Sequence, residues 1–190
     1  TYTFSGDGRV AIRLEAEIAA WFVAPPAPIP GLPAEFAGFA PKAAFLPRLG
    51  FETQLPGEDE AFSYFGMGPE ENYCDMHLHA ALDCYESTAS AEYVPYVMPQ
   101  EHGNHTNSRA LWFERGLCVE SNESFEFNVS QYSTDMLADT AHEAALHPDS
   151  RTHLRIDYRN SGIGSNSCGP ALRDDYALRE RNISWSFILG

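Results

Sequence analysis

Positive charge is scarce in this sequence. Twelve lysines and arginines stand against 27 aspartates and glutamates, giving a formal charge of −15. A nucleic-acid backbone is held by a lysine and arginine surface, so nucleic acid is excluded as a partner, and an anionic membrane with it. Cysteine is equally sparse. Cys74, Cys84, Cys118 and Cys168 show no CxxC or CxxH spacing, and so few in 190 residues do not form a disulfide framework. They read as reduced thiols, which fits a cytoplasmic protein. No apolar run approaches the roughly 20 residues of a membrane span. The opening carries no basic-then-apolar signal peptide. Thr1 reads as lying inside a strand, so the domain is expected to be truncated on its N-terminal side.

What is present suits one domain over residues 1–190. An apolar fraction of 44% supplies a core, and 13 prolines and 14 glycines spread along the chain imply many short segments joined by turns. Val10, Ile12, Leu14, Ala16 and Ile18 alternate with Arg9, Ala11, Arg13, Glu15 and Glu17, the period of a half-buried strand. The stretch 24–33, APPAPIPGLP, cannot join a central sheet because proline donates no ladder hydrogen bond. Further strands are expected at 44–53, 61–65, 93–97, 108–114, 124–130, 152–158 and 183–189, where aromatic and β-branched residues gather. One short helix is expected near residues 134–145. Ser133 caps it, Leu137, Ala141 and Ala144 fall at helical spacing, and Pro148 lies just beyond. Many antiparallel strands with one short helix predict an all-β sandwich.

The most informative stretch is Phe65-Gly66-Met67-Gly68-Pro69-Glu70-Glu71-Asn72-Tyr73-Cys74-Asp75. Two glycines and a proline after a strand make a tight turn, and polar groups follow at once. Read alone, it is a structural turn whose carboxylates cap backbone amides. The stretch also closely resembles the G-x-GP-x-ENY-x-DR element in the small-chain domain of glycoside hydrolase family 2 β-galactosidases. Other blocks appear in the family's order. Leu46-Pro47-Arg48-Leu49-Gly50 precedes the element, and Val94-Pro95-Tyr96-Val97-Met98-Pro99-Gln100-Glu101 follows it. Then come Gly103-Asn104-His105-Thr106 and Arg109; Phe127, Ser130, Tyr132, Leu137 and His142; Ile156-Asp157-Tyr158; and 162–170, GIGSNSCGP.

The resemblance implies an antiparallel supersandwich similar to galactose mutarotase, packed beside a catalytic barrel and lending a loop to the rim of its galactose pocket. The implied parent hydrolyses terminal β-galactosides, is a homo-oligomer, and binds its Mg and Na ions outside this domain; no cofactor is expected within the chain. The implied rim residues are Asn166, Ser167 and Cys168, with Cys168 where some relatives carry a tryptophan. A thiol offers a sugar far less contact area than an aromatic platform. The implied catalytic glutamates lie in the barrel. Glu70 and Glu71 cannot replace them by adjacency. Retaining hydrolysis needs two carboxylates about 5–5.5 Å apart around one bond, whereas neighbours in an extended segment face opposite ways. No catalysis is expected from the chain by itself. Met76 replaces the family's arginine after Asp75, His102 its asparagine, and Ala110 its tryptophan, which puts the local polar network in question.

Glu101, Asn104 and Arg109 form the candidate polar cluster for sugar hydroxyls, since carboxylate, amide and guanidinium groups recognise them. The alternative is a loop-stabilising Glu101–Arg109 salt bridge. Cys168 reads as a structural or pocket-lining thiol ahead of a nucleophile. His77, His79, His102 and His105 match no strong zinc spacing and read as hydrogen-bonded or surface histidines. His142 reads as a packing or capping residue. Trp21, Trp112 and Trp185 read as core or domain-interface aromatics. A second function class, a free-standing sugar-binding or mutarotase-like protein, needs an acid and a base across a sugar ring.

Overall fold

A computed structural model of the chain describes residues 1–24, 30–31, 33, 44–164 and 172–190. The strands are β1 (Tyr2–Phe4), β2 (Val10–Glu17), β3 (Arg48–Leu55), β4 (Ala61–Gly68), β5 (Ala81–Thr88), β6 (Asn104–Phe113), β7 (Cys118–Ser130), β8 (Thr152–Asn160) and β9 (Asn182–Leu189). All pairings are antiparallel, and one path runs β1-β2-β9-β7-β6-β4-β5. The sheet branches at the long strand β7. Val119 and Glu120 pair with β9, whereas Glu126–Ser130 pair with β8, which carries β3 on its far edge. The two wings pack face to face. Phe51 of β3 lies 5.5 Å from the ring of Phe187 and 6.4 Å from that of Trp185, both on β9. Phe62, Tyr64, Leu111, Phe125, Phe127, Leu154 and Ile156 fill the space between the wings. The architecture is an all-β antiparallel sandwich.

The alternation in β2 is kept: Ile12 is buried, and Arg13, Glu15 and Glu17 are exposed. Strands β7 and β8 obey a different rule, because both of their faces are covered. Phe127, Val129, Leu154 and Ile156 face the apolar core. Glu126, Asn128, Arg155 and Asp157 alternate with them and are also buried. In an antiparallel ladder, directly paired residues share a face. The pairs Asn104↔Asn128, Asn128↔Arg155 and Glu126↔Asp157 therefore make one polar row across β6, β7 and β8. Gly50 is required beside that row. A Cβ there would sit 2.0 Å from Asp157 Oδ1 and 2.4 Å from the Ile156 carbonyl, at the bulge where β3 shifts register on β8.

Two expectations need correction. Residues 93–97 form no strand: Pro95 and Pro99 remove donors, and the segment turns on itself with Tyr96 N donating to Val94 O at 2.9 Å. The helix expected over 134–145 is two pieces, α2 (Thr134–Asp139) and a 3-10 turn at Glu143–Ala145. Ser133 caps α2 as expected, accepting from Met136 N at 3.1 Å. A continuous helix would put Leu146 opposite Leu137. The break after Asp139 lets both pack with Tyr132, and it leaves Ala141 and Ala144 exposed. A further short helix, α1 (Ala20–Val23), and the edge strands β1 and β5 carry too little alternation to be read in advance. Of the tryptophans, Trp185 is core, whereas Trp21 and Trp112 are exposed. Among the described residues, no helix is long and apolar enough to cross a membrane.

Candidate functional site

The stretch that follows β4 folds back over the polar row. Asn72 fixes it. Its Nδ2 donates to the carbonyls of Met67 and Glu70 at 2.9 and 3.1 Å, and its Oδ1 accepts from Thr106 N and Oγ1 at 2.9 and 2.6 Å. Its backbone N–H reaches Asn104 O at 2.7 Å. Glu71 holds the next strap: Gly103 N donates to Oε2 at 2.7 Å and the Tyr96 hydroxyl to Oε1 at 2.5 Å. The aromatic run 93–97 thus serves as a tether to a carboxylate instead of a strand.

Asp75 works in the direction of the 162–164 turn. Its two oxygens accept from Ile163 N and Gly164 N, each at 3.0 Å. Gly162 stands there at φ +93°, and a Cβ on it would lie 2.4 Å from Asp75 Oδ1, so only glycine brings the turn this close. Asp75 therefore holds the turn through two backbone amides. Met76 itself closes a tight turn with Tyr73 through backbone bonds of 2.8 and 2.9 Å.

Asn104 belongs to the buried polar row, and the partly exposed Glu101 pairs with its arginine. Glu101 Oε2 accepts from Arg48 Nη1 at 3.0 Å and Arg155 Nη1 at 3.3 Å. Arg48 also grips Asp157 Oδ2 through Nη2 at 2.5 Å and Nε at 3.1 Å, and Arg155 reaches Asn128 Oδ1 and Thr134 Oγ1. Burial works against the guanidinium of Arg48, but Asp157 and Glu101 outweigh it and raise its pKa. Asn104 donates to Asn72 O at 3.0 Å and to Glu126 Oε2 at 2.9 Å. Arg109 does not join them. It is exposed and bonds Asn122 O, and the salt bridges of Glu101 are with Arg48 and Arg155 in place of the alternative Glu101–Arg109 pair. The reason is local: Arg109 lies five residues along β6 from Asn104, roughly 15 Å at about 3.3 Å per residue. Asn166, Ser167 and Cys168 lie outside the described residues.

Burial pushes the Glu126 carboxyl up to about 8. Asp157 adds to the rise, while the Asn104 amide, the Asn160 backbone and Arg159 oppose it. Between the ordinary glutamate value of 4.5 and about 8, Glu126 is neutral in the fold but ionised in the unfolded chain. The folded state then holds the extra proton, so this contribution to stability is complete below the lower value and is lost as pH rises through the upper one. The loss is at most about 1.4 kcal/mol per pH unit. Urea midpoints of the native protein minus those of Glu126→Gln, taken from pH 5 to 8, are expected to fall with pH. A flat difference contradicts a neutral Glu126.

Of the four histidines singled out in the sequence, His102 and His105 are placed in the interior. His105 Nε2 meets Glu92 Oε2 at 2.7 Å, and its Nδ1 faces the Tyr64 hydroxyl at 3.0 Å and Met67 O at 3.1 Å. Tyr64 lines an open cavity of about 500 Å³ together with Glu70, Glu71, Tyr85, Glu86 and Glu92. His102 bonds Gln100 O at 2.8 Å and lies edge-on to Tyr93. Sequence reasoning missed Arg155, Glu126 and Glu92 because charged residues in strands or turns read as solvent-facing.

Comparison with known proteins gives the family. The family described as "Beta galactosidase small chain" matches residues 1–189. The β-galactosidase of Staphylococcus xylosus is 40% identical over 151 residues, which is 78% of this chain and 15% of that protein. Those of Actinobacillus pleuropneumoniae (40% over 145 residues) and Kluyveromyces lactis (34% over 150 residues) each match 76% of this chain and 14% of their own length. The chain thus spans about one seventh of the relatives it matches. On this match, and on the motifs that build the polar row and its straps, the chain belongs to the β-galactosidase small-chain family.

Proposed function

We propose that the chain is the C-terminal accessory domain of a larger β-galactosidase that hydrolyses terminal β-D-galactosides. On this reading it is a mutarotase-like sandwich that packs beside the catalytic barrel, completes the rim of the galactoside site through the segment after Gly164, and supports a homo-oligomeric parent. Asn166, Ser167 and Cys168 form that rim, and the barrel supplies both catalytic glutamates. The observation that carries the reading is Asp75, whose carboxylate accepts the amides of Ile163 and Gly164 at 3.0 Å and so fixes where the segment starts. A substrate-positioning loop gains rate by holding its groups in place, and a displacement of about 1 Å costs up to about 100-fold. Asp75→Ala in the full-length protein is therefore expected to lower kcat/KM for a nitrophenyl β-galactoside by about 10- to 100-fold, with an unchanged circular dichroism spectrum. An unchanged kcat/KM would remove the rim role.

One observation favours a second reading, a mutarotase-like activity. The Glu92–His105–Tyr64 chain ends on an open cavity, where an acid and a base would meet a sugar ring. Polarimetry on freshly dissolved α-galactose separates the two, since only the second reading predicts faster equilibration.

A further inference from the structure

The two ends of the sheet treat their outer faces differently. On β2 and β9, Ile12, Trp185 and Phe187 turn to the core. The outward pairs are Arg13–Ser186, Glu15–Ser184 and Glu17–Asn182, all exposed, with Ala11–Ile188 the one apolar pair. That is the polar face of a solvated antiparallel sheet. On β4 and β6, Phe62, Tyr64, Leu111 and Phe113 fill the core, so the residues between them face outward. Directly paired residues share a face, and the outward rows are Leu82–Met67, Cys84–Phe65–Ala110 and Glu86–Ser63–Trp112. Leu82 is 55% exposed and Trp112 39%, Cys84 is exposed, and Phe65 and Met67 are half-buried. Three strands thus present an apolar face on the outside of the sandwich, and contiguous exposed apolar surface marks an interaction site.

Charge limits what can cover this face. Beside Trp112 lies a hollow of about 570 Å³ lined by Glu86 and Glu114 and by neither lysine nor arginine. Among the described residues, neither carboxylate has an ion-pair partner. Eleven of the 27 acidic residues fall within 49–108, a stretch that holds no lysine or arginine. A second copy of the chain would set the same unpaired carboxylates and the same acidic stretch against its twin, and like charge opposes that pairing. A guanidinium or ammonium in the hollow gains both carboxylates and the indole of Trp112. With about one seventh of the relatives' length matched, most of such a parent lies elsewhere in its chain.

We propose that the outer face of β4, β5 and β6 is a docking surface for another part of the parent chain, apolar at its centre and bearing an arginine or lysine that enters the hollow at Glu86 and Glu114. The proposal rests on the accessory-domain reading and adds where the domain docks and the chemistry of what covers it. Cys84, in the middle row of the face, reports on it. In the full-length protein, alkylation of Cys84 by N-ethylmaleimide, followed by peptide mass mapping, is expected to run more than about tenfold slower than in the urea-unfolded protein. The protection is expected to persist on dilution. Leu82→Asp and Glu86→Lys change side chains that are exposed in this domain, so neither removes packing or an ion pair from it. Each is expected to speed the labelling of Cys84 by about tenfold. Turnover of a chromogenic β-galactoside by the same sample reports on the accessory-domain reading separately. In an active sample, labelling within about tenfold of the unfolded rate overturns the docking face and leaves that reading standing. An inactive sample overturns the reading, and the proposal with it. Protection lost on dilution would make the occupant a second copy, and protection untouched by Glu86→Lys would remove the basic partner; either result overturns the proposal.

Discussion

Replacing Arg48 by methionine is expected to cost about 3–5 kcal/mol of folding stability. Asp157 is buried in the polar row on β8, and both of its hydrogen bonds from a cation come from Arg48. Removing that guanidinium strands a buried carboxylate, and the penalty is the desolvation that the pair had offset. Burial already raises the pKa of Asp157 against the pull of Arg48, so in the variant it takes up a proton more readily. Glu101 is affected less, because Arg155 still reaches it at 3.3 Å. Urea denaturation measures the loss. The double variant Arg48→Met with Asp157→Leu is expected to recover part of it, since an apolar pair leaves nothing unpaired. A loss below about 1 kcal/mol for the single variant would mean that the row is solvated like a surface pair.

The second large effect concerns Asn72. It is fully buried, and its side chain makes four hydrogen bonds that close the turn after β4 onto β6. Asn72→Ala leaves the carbonyls of Met67 and Glu70 and the Thr106 N–H without those partners. At about 1–3 kcal/mol for each buried group left unsatisfied, the variant is expected to lose about 3 kcal/mol or more. Asn72→Asp sharpens the test. It keeps the acceptor for Thr106 but turns an oxygen toward two carbonyl oxygens, so it is expected to be nearly as damaging as alanine. Thermal melts of the two variants decide the point. A near-native Asn72→Asp would show that the donor half of the amide contributes little.

Much of this structure is legible in the sequence, for identifiable reasons. The strands of the two wings carry β-branched and aromatic residues at period two, and in β2 the exposed Arg13, Glu15 and Glu17 fall where the alternation puts them. Strand β5, ALDCYEST, is an edge exposed on most of its length, so it lacks the apolar beat that would reveal it. The helix over 134–145 is drawn too long because local spacing does not register that Leu146 is needed beside Tyr132.

The site divides in the same way. The motifs 70–75 and 99–104 point to polar groups that do build the straps, and Asn104 does lie in the buried row, with Glu101 paired to its arginine. Arg109 is misplaced because it stands five residues further along β6 than Asn104, too far to share its cluster. Arg155 and Asp157 alternate with Leu154 and Ile156, and any single-strand reading puts such charges in solvent. They are inside because a second layer, carried by a turn more than fifty residues away in sequence, covers that face. Only the tertiary arrangement supplies this information.

The accessory-domain reading rests finally on where the chemistry sits. The full-length protein and residues 1–190 alone, both purified and compared at equal molarity on a chromogenic β-galactoside, test it most directly. The account predicts turnover by the full-length protein and none above the uncatalysed rate by the 1–190 chain. Hydrolysis by the 1–190 chain at a rate comparable to the full-length protein would contradict it.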